Sequence, residues 1–361
     1  MKKRKLSIYL VLISTLLLFV GCTKDLETDR EIIKKENKEI TVIADTNYTV
    51  GKDIVEKINV YEGLKGYDWV ENDKIIGIKE NENNKLEKLV YDVKDILNFI
   101  KKEFTTENLP YQYINVSPDK KHIFFVDSAR HIRYIIDLNG NIKAKAEGPY
   151  IGELGEAIWI NNKELIMPYK GTGFYIINLG GKEIKIEDVE DKEYIYKAVK
   201  VGNKIYYSTQ IELERKMKVY NISTKETKLF IEDRVVDFHL SPKDNQFVIE
   251  THNLNKDKTT VSLVDLEGKN KDAVAEGRMI YGTSWSPDGS KLAYILNSRG
   301  EEDEGLFIID IEKKKKNQVS TTYLDLENHI KWSPSGNKIM ISNSEVKDSK
   351  WVDKTNVINL K

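Results

Sequence analysis

Apolar and polar positions alternate along this chain in short bursts, each broken by turn-forming residues, and the bursts come back at a regular interval. The stretch Trp285-Ser286-Pro287-Asp288-Gly289-Ser290-Lys291-Leu292-Ala293-Tyr294 is the clearest unit. Pro287 presets φ for the first corner of a turn, Asp288 can bond its own backbone, and Gly289 accepts a left-handed conformation. Leu292 and Tyr294 then alternate with Lys291 and Ala293, as residues of a strand do. The pattern predicts strand, tight turn, strand.

Degraded copies of the unit recur. An apolar–Asp/Asn–apolar marker ends a strand at Tyr91-Asp92-Val93, Ile136-Asp137-Leu138, Ile177-Asn178-Leu179, Tyr220-Asn221-Ile222, Val264-Asp265-Leu266, Ile309-Asp310-Ile311 and Ile358-Asn359-Leu360. The intervals between the Asp/Asn positions are 45, 41, 43, 44, 45 and 49 residues. Upstream of each lies a turn. Ser117-Pro118-Asp119, Ser241-Pro242-Lys243, Ser286-Pro287-Asp288 and Ser333-Pro334-Ser335 carry it in four repeats; Glu71-Asn72-Asp73, Asn161-Asn162-Lys163 and Gly202-Asn203-Lys204 stand in its place in three. A period of about 44 residues with about four short strands per unit predicts a β-propeller blade. The expected fold is all-β, a seven-bladed β-propeller. In the sixth unit the strands are expected near 280–286, 291–296, 305–311 and 317–322. Each blade buries its faces only against neighbours, so the copies must come as a set.

After Asn359-Leu360 only Lys361 remains, so the last blade lacks its outermost strand. The predicted donor is an N-terminal strand, either Glu39-Ile40-Thr41-Val42-Ile43-Ala44 or Ile58-Asn59-Val60-Tyr61, which removes an exposed edge. One segment breaks the pattern: Val93, Ile96, Leu97, Ile100 and Phe104 fall at helical spacing. It reads either as an inserted helix or as the first blade's outer strand.

The N-terminus reads as an address. Lys2, Lys3, Arg4 and Lys5 precede the uncharged, mostly apolar run of 15 residues from Leu6 to Val20, short for a span of about 20 and suited to a signal peptide. The run ends in Phe19-Val20-Gly21-Cys22, which resembles a bacterial lipobox. That resemblance implies cleavage after Gly21 and lipidation of Cys22, the only cysteine. An uncleaved anchor and a plain secretory signal are the competing readings. The expected organisation is a signal peptide at 1–21, the lipidated cysteine and a flexible tether at 22–38, and the ring at 39–361, on the extracytoplasmic face of a bacterial membrane.

Hydrophobic residues make up 40% and charged residues 32% of the 361, a foldable globular composition. Without the first 21 residues the chain keeps 53 basic and 58 acidic side chains, net −5. That balance is a poor match for nucleic acid, whose phosphates select basic patches.

The run from Trp285 to Tyr294, with Lys331-Trp332-Ser333-Pro334-Ser335-Gly336-Asn337-Lys338-Ile339, resembles the TolB-like propeller repeat, aromatic-Ser-Pro-Asp-Gly followed by an apolar strand. The likeness is strong in repeats two, five, six and seven and extends over residues 66–360. It implies the fold and is nearly silent about function. Propellers of this kind serve as protein-binding scaffolds, as non-catalytic domains of peptidases and as surface lipoproteins. The chain departs from TolB in its expected lipid anchor, its expected seven blades against six, and the lack of a preceding α/β domain.

Little in the sequence points to chemistry. The histidines, His122, His131, His239, His252 and His329, have no i, i+4 zinc spacing. Gly282-Thr283-Ser284-Trp285-Ser286 lacks the last glycine of a nucleophile elbow. No glycine-rich phosphate loop occurs. Lys313 to Lys316 and Glu301 to Glu304 read as solvated hairpin tips, and Trp69, Trp159, Trp285 and Trp332 as inter-blade packing. No catalytic residue, cofactor or metal ligand is expected. The expected function is a monomeric, non-catalytic, lipid-anchored binding protein or scaffold for a protein, peptide or envelope polymer. The alternative is an enzyme, a lyase or glycan or peptide hydrolase, with its site at the channel. Paired carboxylates or clustered histidines there favour the enzyme; an aromatic rim patch favours the binder.

Overall fold

The computed structural model describes residues 30–35, 38–43, 54–80, 86–88, 114–127, 132–147, 156–169, 173–187, 189, 194–211, 214–298, 304–320, 330–347 and 350–361. The chain divides into two compact units, Met1–Thr49 and Val50–Lys361. In the first, β1 (Arg30–Lys35) and β2 (Lys38–Ile43) form an antiparallel hairpin that sets Arg30 opposite Ile43 and Ile33 opposite Ile40. β1 falls within the segment 22–38. Gly21 and Cys22 lie outside the described residues, as does 93–104.

The second unit is all-β, with no helix among its described residues. It opens with β3 (Val55–Glu62) and a three-stranded sheet of β4 (Leu64–Glu71), β5 (Lys74–Glu80) and β6 (Leu86–Lys88). Six four-stranded antiparallel sheets follow as propeller blades. The first is β7 (Asn115–Val116), β8 (His122–Asp127), β9 (Ile132–Asp137) and β10 (Ile142–Glu147). The second is β11 (Ile158–Asn161), β12 (Glu164–Tyr169), β13 (Gly173–Asn178) and β14 (Glu183–Ile186). The third is β15 (Tyr194–Val201), β16 (Lys204–Ile211), β17 (Glu214–Asn221) and β18 (Thr227–Ile231). The fourth is β19 (Val235–Leu240), β20 (Gln246–Asn253), β21 (Lys258–Asp265) and β22 (Lys271–Gly277). The fifth, β23 (Met279–Trp285), β24 (Lys291–Asn297), β25 (Gly305–Asp310) and β26 (Lys315–Ser320), matches the expected strands to within two residues. The sixth joins β27 (Lys331–Trp332), β28 (Lys338–Lys347) and β29 (Lys350–Leu360) to β3, from the far end of the unit.

That last pairing settles the donor strand. Ile58 stands opposite Ile358 and Val60 opposite Asn356, and the Lys361 amide donates to the Ile54 carbonyl at 2.9 Å. The other candidate, beginning at Glu39, is engaged by β1 instead.

The turns form as their chemistry dictates. The Ser286 hydroxyl donates to Asp288 at 2.6 Å and accepts from the Lys291 amide at 2.9 Å, with Gly289 at φ 71°. Ser117 repeats the arrangement with Asp119 and the His122 amide. The serines thus close turns and are not poised as nucleophiles. The Asp/Asn marker caps the outer hairpins: Asp137 accepts from the Asn139 and Asn141 amides, each at 2.9 Å, and Asn178 and Asp265 do the same in their own blades.

The core is spread over the seams between sheets. Val70 and Ile76 pack on Val116, Ile123 and Phe125. Phe124 and Ile135 meet Leu165 and Tyr175; Ile166 and Phe174 meet Ala198 and Tyr207; Tyr206 and Met217 meet Phe238 and Phe247. Val248 and Val261 meet Trp285 and Tyr294, and Ala293 and Ile308 meet Trp332 and Ile341. Met340 and Val357 then return to Trp69. Each such side chain contributes about 1.5–3 kcal/mol when fully buried.

Candidate functional site

The places of the tryptophans decide whether they are free to hold a ligand. The indole N–H groups of Trp69, Trp159, Trp285 and Trp332 donate to the carbonyls of Lys331, Asn115, His239 and Ser284, at 3.0, 3.3, 3.4 and 3.1 Å. Each acceptor lies on the inner strand of the preceding sheet. These four are latches between sheets, as expected from the sequence. The lysine run is likewise committed: Lys313 pairs with Asp310, Lys314 with Asp272, and Lys316 lies over the Phe307 ring. Of the acidic tip only Glu304 is described, and it accepts from the Ser298 amide at 3.1 Å.

Among the histidines, His131 and His329 lie outside the described residues. His122 approaches Asp119 of its own turn at 3.9 Å. His252 meets Thr259 at 3.0 Å. His252 also lies 3.7 Å from Asp257, which pairs with Arg278, while His239 joins a more buried charged cluster.

That cluster is built from strands of three sheets. Lys197 on β15 is 2% exposed, and its ammonium lies 2.8 Å from Asp237 Oδ1 and 3.1 Å from Glu156 Oε2. Asp237 and His239 sit on β19, with His239 Nε2 3.0 Å from Asp237 Oδ2 and Nδ1 3.4 Å from Lys197 Nζ. Glu250 on β20 is the cross-strand partner of Asp237. It is 1% exposed, accepts from the Thr283 amide of β23 at 3.1 Å through Oε1, and leaves Oε2 without a partner. A bulge between Tyr281 and Ser284, with Gly282 at φ 67°, lies at this amide.

The electrostatics follow. Burial pulls the Lys197 ammonium down, but Asp237 and Glu156 beside it outweigh burial and hold it charged. Burial pushes Asp237 up, yet Lys197 and His239 keep it well below the usual carboxylate range. For Glu250, burial, with Asp237 next, outweighs Thr283 and His239 and pushes its carboxyl up to about 7. The His239 nitrogens face Asp237 and Lys197.

Sequence reasoning did not single out Lys197, Asp237 or Glu250. Their signal was charge in the middle of otherwise apolar strands, as in Phe247-Val248-Ile249-Glu250. No set of three metal-ligating side chains forms among the described residues.

A second feature lies on the hairpin of β28 and β29. Trp351 is 73% exposed and stands opposite Val346, 62% exposed. On β3, Tyr61 and Val60 are also exposed.

No protein-family model matches the chain, and no curated protein sequence matches it. Among solved structures it is similar to oligogalacturonate lyase in complex with manganese, at TM-score 0.59 and 10% identity over 86% of this chain and 97% of that one. An oligogalacturonate lyase from Vibrio parahaemolyticus gives TM-score 0.57 and 10% identity over 92% and 96%. The Cps50 (Swd1) propeller domain of Myceliophteria thermophila gives 0.53 and 9% over 87% and 100%. TolB from Acinetobacter baumannii also matches, at 0.46 and 13% over 84% and 80%. At these identities the likeness is one of fold: the chain is a β-propeller.

Proposed function

We propose that this chain is a lipid-anchored, seven-bladed propeller on the outer face of a bacterial cytoplasmic membrane, and that it binds a protein partner without catalysing a reaction. The three-stranded sheet of β4 to β6 counts as the first blade. Its support is the packing of Trp69 on Met340 and Val357 on one side and of Val70 on Val116 on the other. Asn72 adds a bond from the Ser335 amide at 2.8 Å. The anchor is the diacylated or triacylated Cys22 left after cleavage behind Gly21, supported by the charged and apolar N-terminal pattern.

The observation that carries the binding reading is the exposed pair of Trp351 and Val346. A tryptophan left in water is a large apolar area ready for burial, and aromatic anchors dominate interface energetics. The charged cluster supports the same reading, because His239 and Lys197 are already engaged with their own neighbours.

A second reading is favoured by that cluster's paired carboxylates, Asp237 and Glu250. Under it the channel holds an enzyme site; the solved structures of similar fold include oligogalacturonate lyases. The test is co-purification from detergent-solubilised membranes. A stoichiometric protein captured by the wild type and lost with Trp351→Ser/Val346→Ser supports the binder. Absence of any partner, together with turnover of an envelope glycan that Asp237→Asn abolishes, overturns it.

A further inference from the structure

We infer that Glu250 is a proton-operated switch at the seam between the β19–β22 and β23–β26 sheets, dry and closed while its carboxyl holds a proton and hydrated when it does not.

The geometry carries this. Glu250 is 1% exposed in the second strand of its sheet, and one oxygen is held by the Thr283 amide of the next sheet at 3.1 Å. The other oxygen has no partner. A neutral carboxyl is tolerated in such a place. An ionised one needs two or three donors and finds only those of Thr283, so it must draw in water or separate from its surroundings. Thr283 is itself 1% exposed, so water reaches this pair only if the seam parts.

The groups that face Glu250 set the direction. From β19 come Asp237, its cross-strand partner, and His239. From β21 the residue opposite is Val261, and β23 brings Thr283 and, close by in the bulge, Tyr281. Lys197 on β15 and Glu156 act on Asp237 and reach Glu250 only through it. Asp237 stays ionised, so a second negative charge on Glu250 is repelled. Burial and that repulsion place the change at about 7.

The seam has its own reporter. Trp285 lies two residues beyond Thr283, and its indole donates to the His239 carbonyl across the seam at 3.4 Å. The experiment follows tryptophan emission of the full chain in detergent from pH 5 to 9, in the wild type, Glu250→Gln and Trp285→Phe. The expected result is a red shift with a midpoint near 7 that disappears in both variants. The same shift persisting in Glu250→Gln, or a midpoint near that of an ordinary carboxylate, overturns the inference. Should Glu250→Gln not fold, carbon-13 NMR of labelled glutamate side chains in the wild type decides. One carboxyl titrating near neutrality upholds the switch, and its absence overturns it.

Discussion

Replacing Glu250 by glutamine keeps an oxygen for the Thr283 amide while removing the titration, so it isolates what the buried carboxyl does to stability. In the unfolded chain the group releases its proton near the usual value of 4.5, whereas in the folded protein it holds on to about 7. Between those values the folded state binds more protons than the unfolded one, so stability falls as pH rises. The loss begins above 4.5 and is complete above about 7. The gap of roughly 2.5 pH units, at about 1.4 kcal/mol each, corresponds to about 3 kcal/mol. With about 1% exposure, solvent screening removes little of it. The assay is urea denaturation of wild type and variant at pH 5 and pH 8. The variant should gain up to about 3 kcal/mol relative to wild type on going from pH 5 to pH 8. An equal change in both proteins across that window would refute the reasoning, since it would place the titrating group elsewhere.

Other perturbations test separate parts of the structure. Trp69→Phe removes the indole donor to Lys331 and leaves a gap beside Met340, and should cost about 2–4 kcal/mol in denaturation, whereas exposed Trp351→Phe should stay within about 0.5 kcal/mol. Ser286→Ala strips the Lys291 amide of its acceptor and should cost about 1 kcal/mol, measured the same way. Lys197→Met leaves Asp237 and Glu156 facing each other without their cation and should cost about 3–5 kcal/mol, with part of the loss recovered by adding Asp237→Asn. Mass spectrometry of the membrane-extracted protein should show acyl chains on an N-terminal Cys22; a mature chain without them removes the proposed anchor.

The fold was legible because its punctuation is local. A serine that bonds an aspartate two residues on, or an aspartate that caps its own hairpin, leaves a signature in a few consecutive residues, and Ser286 and Asp137 do this in the structure. The tryptophan roles were legible for the same reason, since all four fall near the end of an inner strand. The charged cluster was not. Lys197 and Asp237 are 40 residues apart, about one repeat, and Glu250 comes from a second strand. Proximity there depends on how successive sheets stack, which no local pattern encodes. The donor strand lay between. Two segments had the right alternation, and pairing partners chose between them: β2 has β1 beside it, while Ile58 found Ile358.

The central claim is that the chain's early strand completes its last blade in one register. It is tested most directly by cysteines placed at Val60 and Asn356, cross-strand neighbours at the sheet edge, in a Cys22→Ser background. Mild oxidation should give an intramolecular disulfide in nearly every folded molecule, and none for Tyr61→Cys with Asn356→Cys, whose side chains point to opposite faces. Failure of the first pair to close, or equal closure of both, would contradict the account.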